Sequence, residues 1–140
     1  MSYQVTFETR TNFVSATVTG TNSRSVVLRY MTDILTECTR QECFRVLIEE
    51  RLDGPRLGAM EVFAVASEGS MKALGQYEAI AYVDEKMGDM ADFAETVAVN
   101  RGMPVAFFND VESAREWLSR QKSGSAEQDI FLEQDKSDRA

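Results

Sequence analysis

The chain has 140 residues, of which 15 are basic and 23 acidic, and its formal net charge is -8. This length predicts one domain that can bury a core without disulfides or a structural metal. The acidic balance repels phosphate backbones and anionic lipid surfaces at long range, so we expect no nucleic-acid binding.

Several residue types that carry chemistry in other proteins are missing. The chain has no histidine, which removes the usual general base, the usual triad partner and the commonest zinc ligand. Cys38 and Cys43 are spaced as neither a redox pair nor a zinc knuckle, and we expect two reduced, buried thiols. We therefore predict no catalytic residue, no metal site and no cofactor.

The apolar segments predict neither a membrane span nor a secretory signal. The longest strongly apolar run, Val62 to Ala66, is far shorter than the roughly 20 residues that cross a bilayer. "MSYQVTFETR" lacks the basic and apolar regions of a signal peptide. We expect a cytoplasmic protein without stable membrane insertion.

The first half of the chain predicts a β-hairpin, a helix and a buried strand. "YQVTFET" alternates as a strand with one wet face, and "FVSATVTG" follows it closely enough for an antiparallel hairpin. Apolar residues at steps of three and four predict a helix in "TNSRSVVLRYMTDILTEC", with Thr21, Asn22 and Ser23 as candidate caps. The apolar run from Phe44 to Ile48 predicts a strand covered on both faces, before a loop "RLDGPRLG".

The second half predicts alternating helices and strands. "LGAMEVFAVASEG" is a helix, "YEAIAYV" a strand, "DMADFAETVAVNRG" a helix that ends at Gly102, and "MPVAFF" the last strand. In "NDVESAREWL", Asn109 or Asp110 caps the last helix, and we expect Trp117 to be largely buried against the last strand.

The predicted fold class is α/β, with a mainly parallel five-stranded sheet, four helices and the order β-β-α-β-α-β-α-β-α. The domain spans residues 1–120. Residues 121–140 are polar and aperiodic and predict a disordered tail. Within this tail, Ile130, Phe131 and Leu132 could dock on a neighbouring chain.

Two segments resemble the SpoIIAA-like superfamily, which groups STAS domains with small Sec14-type bacterial proteins. They are "FRVLIEERLDG" and "ETVAVNRGMPVAFFNDVESAREWL", and the resemblance covers Tyr3 to Leu118. It implies the same fold of five strands and four helices. Anti-sigma-factor antagonists in the superfamily carry a phosphorylatable serine after the third strand, but Arg51 to Ala66 holds no serine or threonine. Sec14-type domains enclose a lipid, and here we expect no such pocket because no extra segment is available as a lid.

The candidate site lies where the strands end, since ligands of open α/β sheets bind beyond the carboxyl ends of the strands. Carboxylates there could hold Mg²⁺ or act as a paired acid and base, although capping and turn formation explain the same residues. The candidate ligand-binding residues are Asn22, Asp53, Asp84 and Asp110. The wider rim also contains Thr21, Ser23, Glu50, Arg51, Glu85 and Asn109.

The predicted function is that of a non-enzymatic STAS-like module for protein interaction or regulation, which binds a protein partner or self-associates as a homodimer. The alternative is a small-ligand-binding protein or a Mg-dependent enzyme that uses the strand-end carboxylates. Methionines bear on the alternative because they line adaptable apolar grooves. Their helical spacing favours core filling instead. The methionines concerned are Met60, Met71, Met87, Met90 and Met103.

Overall fold

The computed structural model describes residues 3–121. Within that range the chain forms five strands: β1 (Tyr3–Thr9), β2 (Val14–Thr21), β3 (Arg45–Asp53), β4 (Ala79–Val83) and β5 (Val105–Phe108). The predicted tail, apart from Gln121, and its candidate docking residues Ile130, Phe131 and Leu132 lie outside the described residues.

The sheet has the strand order β1-β2-β3-β4-β5. The hairpin β1-β2 is antiparallel, and each of the three following pairs is parallel. The predicted α/β class with a mainly parallel sheet is therefore confirmed. One boundary differs: β3 continues to Asp53 through residues predicted as a loop, because its pairing with β2 runs on to Thr21 opposite Asp53.

Four helices follow the predicted order: α1 (Arg24–Gln41), α2 (Ala59–Ala73), α3 (Met90–Asn100) and α4 (Val111–Arg120). Among residues 3–121, no helix combines the length and the apolarity that crossing a bilayer requires. Two predicted helix ends are confirmed, the start of α1 and the end of α3. Ser23 accepts a hydrogen bond from the amide of Val26 at 3.2 Å, and Gly102 after α3 has a φ of 87° that favours glycine.

The helices divide unequally between the two faces of the sheet. Each parallel strand lies beside the previous one, so right-handed crossovers carry α1, α2 and α3 over the same face. Residues of all three helices share one buried cluster with Val46, Ile48 and Ile80. Helix α4 covers the other face, where Leu118 packs with Leu47 and its neighbours. Two polar strand-end residues can therefore belong to opposite sides of the molecule.

Trp117 packs against the last strand, as the sequence predicts, but it is less buried than expected. It is only partly buried, and its ring meets that of Phe108 at a centroid distance of 5.7 Å. The neighbouring Leu118 takes the fully buried position, with 1% of its surface exposed. The physical reason is the helical step, since only Ala114 and Leu118, four residues apart, point directly at the sheet.

Asp110 caps α4 through its side chain. Its Oδ1 accepts a hydrogen bond from the amide of Ser113 at 2.7 Å, and its Oδ2 accepts one from the Ser113 hydroxyl at 3.0 Å. We expect Asp110→Ala to lower the free energy of unfolding by about 1 kcal/mol, the usual value of an N-cap. Asn109→Ala, next to it and exposed, is the matched control. Chemical denaturation of both variants checks this assignment, and equal losses would contradict it.

Candidate functional site

A cavity of about 540 Å³ lies between α2 and the sheet. Helix α2 packs mainly against α1 and α3 and much less against the strands, so it forms the roof of this space. A cavity therefore forms here without an extra segment as a lid, and the expectation that no such pocket would form is wrong. The walls are mostly apolar and include Met31, Val65, Ile80, Met90, Ala94 and Val105.

Small residues on the inner side of α2 leave this volume unfilled. Ala66, Gly69, Ser70 and Ala73 line the cavity where larger side chains would occupy it. Gly69 also allows close packing on α1, because a Cβ added there would lie 3.0 Å from the Met31 sulfur. Small side chains thus allow α2 to pack closely on α1, while the space between α2 and the strands stays open.

The methionines divide between the cavity and the surface. Met87, Met90 and Met103 line the cavity, whereas Met60 and Met71 have 87% and 79% of their surface exposed. The expectation that all five fill the core is therefore wrong for Met60 and Met71. Their α2 positions point away from the sheet, and helical spacing alone does not specify which side of a roofing helix faces inward.

One end of the cavity is polar and is built around Glu50. The Glu50 side chain extends from β3 on the same face as Val46 and Ile48, and only 9% of its surface is exposed. Its Oε2 accepts hydrogen bonds from the hydroxyl of Tyr30, on α1, and from the hydroxyl of Tyr82 at 2.6 Å. The Tyr82 ring stacks on Phe107 with centroids 4.8 Å apart. These contacts fix the position of the carboxyl group.

Asp84 completes the polar end from the first position after β4. It has 3% of its surface exposed. Its Oδ1 accepts a hydrogen bond from the amide of Lys86 at 2.9 Å. Its Oδ2 lies 3.7 Å from Nη1 of Arg56, which is an ion pair but longer than a hydrogen bond. A carboxylate and a guanidinium thus lie together beside Glu50.

Burial dominates the electrostatics of this end. It raises the pKa of Glu50 well above the usual 4.5, and the hydrogen bond with Asp84 and the Asp84 charge raise it further, while Arg56 lowers it. Burial also raises the pKa of Tyr82 well above 10.0. The Glu50 carboxyl group therefore favours its protonated form, in which it can donate a hydrogen bond.

The four candidate ligand-binding residues do not form one cluster. Asn22 and Asp84 line the cavity, and the Asn22 side-chain amide donates to the carbonyl of Pro55 at 2.9 Å. Asp53 is exposed and pairs with the Lys86 ammonium at 3.3 Å. Asp110 caps α4 on the opposite face of the sheet. Within residues 3–121, no three or more cysteine, histidine or acidic side chains are grouped so that they could hold a metal ion.

Sequence reasoning missed the central role of Glu50 and the two tyrosines. Glu50 stood in the predicted rim, but the adjacent "EER" suggested the start of a charged loop. The alternation Val46, Ile48, Glu50 already places the Glu50 side chain on the buried face once β3 is extended. The same period places Tyr82 beside Ile80 on that face.

The comparisons with known proteins bear on the fold. No family model matches the chain, and no curated protein matches it. One similar solved structure is the crystal structure of an uncharacterised protein of the DUF3478 family with a SpoIIAA-like fold, from Shewanella loihica PV-4. The match has a TM-score of 0.51 and 19% sequence identity, and it covers 83% of this chain and 93% of that one. The chain therefore has a SpoIIAA-like α/β fold, as the sequence resemblance predicts.

Proposed function

We propose that the protein is a non-enzymatic binding module for a small, mainly apolar molecule held under α2. The observation that carries this proposal is the cavity of about 540 Å³. Its size falls within the range of about 300–1,000 Å³ typical of small-molecule sites. Apolar walls with a few convergent polar groups at one end are also the usual composition of such sites.

Burial of an alkyl chain in this space supplies the driving force. Each buried methylene contributes about 0.8 kcal/mol. A chain of about ten carbons therefore gains about 8 kcal/mol before the cost of lost motional freedom, which is at least about 4 kcal/mol. The apolar walls account for affinity, and the polar end of the cavity accounts for which head group is accepted.

Binding is favoured over catalysis by how the polar end is constructed. The Oε2 atom of Glu50 is already engaged by two tyrosine hydroxyls, so this oxygen is not free to take a proton from a substrate. The enzyme alternative also invoked Mg²⁺ on the strand-end carboxylates, but Asp53 and Asp110 lie apart from Asp84, on the surface and on the opposite face. A holding site that orients a polar head fits the geometry better.

Fluorescence titration with N-phenyl-naphthylamine, an apolar dye, tests the proposal. We expect saturable binding to the wild-type protein. Ala94→Leu adds volume to the cavity wall and should weaken dye binding by about tenfold or more. Ala91→Leu, one turn earlier on α3 and away from the cavity lining, is the matched control and should bind as the wild type does.

The two variants make the same chemical change on the same helix, so a difference in dye affinity between them reports on the position of the added side chain. Circular dichroism verifies that each variant is folded. Absence of saturable dye binding in the wild-type protein would contradict the proposal. Equal affinity in Ala94→Leu and Ala91→Leu would show that the dye binds elsewhere, for instance on the outer face of α2.

A second candidate function is self-association as a homodimer. Exposed apolar side chains on the outer face of α2 and in the turn after it favour self-association. Met60, Phe63, Met71 and Leu74 have 46% to 87% of their surface exposed, and exposed apolar patches mark interaction sites. Sedimentation equilibrium of the wild type and of Met60→Ser/Met71→Ser tests it. A dimer that the double variant loses would support the candidate, and a monomeric wild type would contradict it.

A further inference from the structure

One oxygen at the polar end of the cavity is left without a hydrogen-bond donor. Only 3% of the surface of Asp84 is exposed. Its Oδ2 atom has no hydrogen-bond partner in the part of the chain that the structure describes. Asp84 lines the cavity. A buried carboxylate oxygen in this state is costly, so a donor supplied from within the cavity would stabilise it.

The neighbours of Asp84 do not fill this position. The amide of Lys86 is used on Oδ1 at 2.9 Å. The Nη2 atom of Arg56 donates to the carbonyls of Leu52 and Gly54 at 2.7 and 3.1 Å, while its Nη1 stays 3.7 Å from Oδ2 of Asp84. Glu50 lies beside Asp84, but it makes no hydrogen bond to Oδ2, and a carboxylate has about four acceptor sites. Acceptor capacity therefore remains at Oδ2.

We propose that the ligand carries a hydrogen-bond-donating head, a hydroxyl or an amine at the end of an alkyl chain, which donates to Oδ2 of Asp84. This inference rests on the proposed function and names the ligand class of the same cavity. The tyrosine hydroxyls of Tyr30 and Tyr82 already donate to Glu50. The Oδ2 atom of Asp84 thus lacks a donor and offers an acceptor at this end of the cavity.

A carboxylate head, as in a fatty acid, fits this end poorly. It would bring a second negative charge beside Asp84, whose own charge already balances that of Arg56. Arg56 has also committed Nη2 to two backbone carbonyls, so it cannot present the two-pronged contact that a carboxylate prefers. The net charge of -8 adds long-range repulsion of anions.

Displacement of N-phenyl-naphthylamine by decanol, decylamine and decanoate tests the inference, because the three ligands share one alkyl chain. We expect decanol and decylamine to displace the dye at concentrations about tenfold or more below that of decanoate. Asp84→Asn keeps an acceptor oxygen and removes the charge. In that variant decylamine should weaken most, decanol least, and decanoate should approach decanol. The exposed Asp53→Asn is the matched control and should leave the ranking unchanged.

Each outcome decides something. Displacement by decanoate as effective as by decanol, in the wild-type protein, overturns the inference while leaving the apolar site in place. An unchanged ranking in a folded Asp84→Asn variant also overturns it. Absence of saturable dye binding overturns the inference and the proposed function together. The wild-type ranking decides the question even if Asp84→Asn does not fold, and the order of decanol and decylamine distinguishes a neutral from a cationic head.

Discussion

Glu50→Gln is expected to become steadily more stable relative to the wild type as the pH rises above 4.5. Above this value, the usual pKa of glutamate, the unfolded chain loses the Glu50 proton while the folded protein keeps it. The folded wild type binds more protons, so its stability falls by about 1.4 kcal/mol for each pH unit until the raised native pKa is reached. Glutamine has no proton to lose and avoids this loss.

The Glu50→Gln variant also preserves the local contacts. Its amide oxygen can accept from Tyr30 and Tyr82, as Oε2 of Glu50 does, and like the protonated carboxyl the amide is neutral and can donate a hydrogen bond. Urea unfolding of both proteins at successive pH values measures the difference between their free energies of unfolding. A difference that stays constant with pH would contradict the account of Glu50 as a buried acid.

Glu50→Ala is the informative contrast. It should show the same dependence on pH relative to the wild type, since alanine is also neutral. It should be less stable than Glu50→Gln at every pH, because two buried tyrosine hydroxyls lose their acceptor, each at a cost of about 1–3 kcal/mol. Equal stability of the two variants would show that the tyrosine hydroxyls find other partners, such as water in the cavity.

Leu118→Ala is expected to lower the free energy of unfolding by about 3 kcal/mol, within the range for buried leucine. Leu118 has 1% of its surface exposed and packs with Leu47, Ala79 and Ala81 beneath α4. Trp117→Ala should cost less, about 1–2 kcal/mol, because Trp117 is only partly buried. Chemical denaturation compares the two variants, and a larger loss in Trp117→Ala would restore the expectation that Trp117 is the buried residue.

The sequence predicts the order of elements well because that order depends on local patterns. Steps of three and four residues mark α1, alternation marks β1 and β2, and near-continuous apolar runs mark β3 and β4. Strands separated by helices then imply parallel pairing. The α4 cap was predictable for the same reason, since Asp110 acts on Ser113, three residues away.

The cavity could not be predicted, because it depends on how far α2 lies from the sheet. Both faces of that helix carry apolar residues, and the same spacing fits a helix packed on strands or one that rests on its neighbours α1 and α3. The prediction that the strand-end residues form one site was wrong for a related reason. Strand ends suggest proximity, but Asp84 belongs to the face under α2 and Asp110 to the face under α4.

The most direct test of the central claim is to locate decanol on the protein by nuclear Overhauser effects between the unlabelled ligand and the isotope-labelled chain. If the cavity under α2 is the binding site, the alkyl protons should show contacts with Val65, Ile80 and Val105, which line it. Contacts confined to Met60 and Met71, on the exposed side of α2, would contradict the claim and place apolar binding on the outer surface.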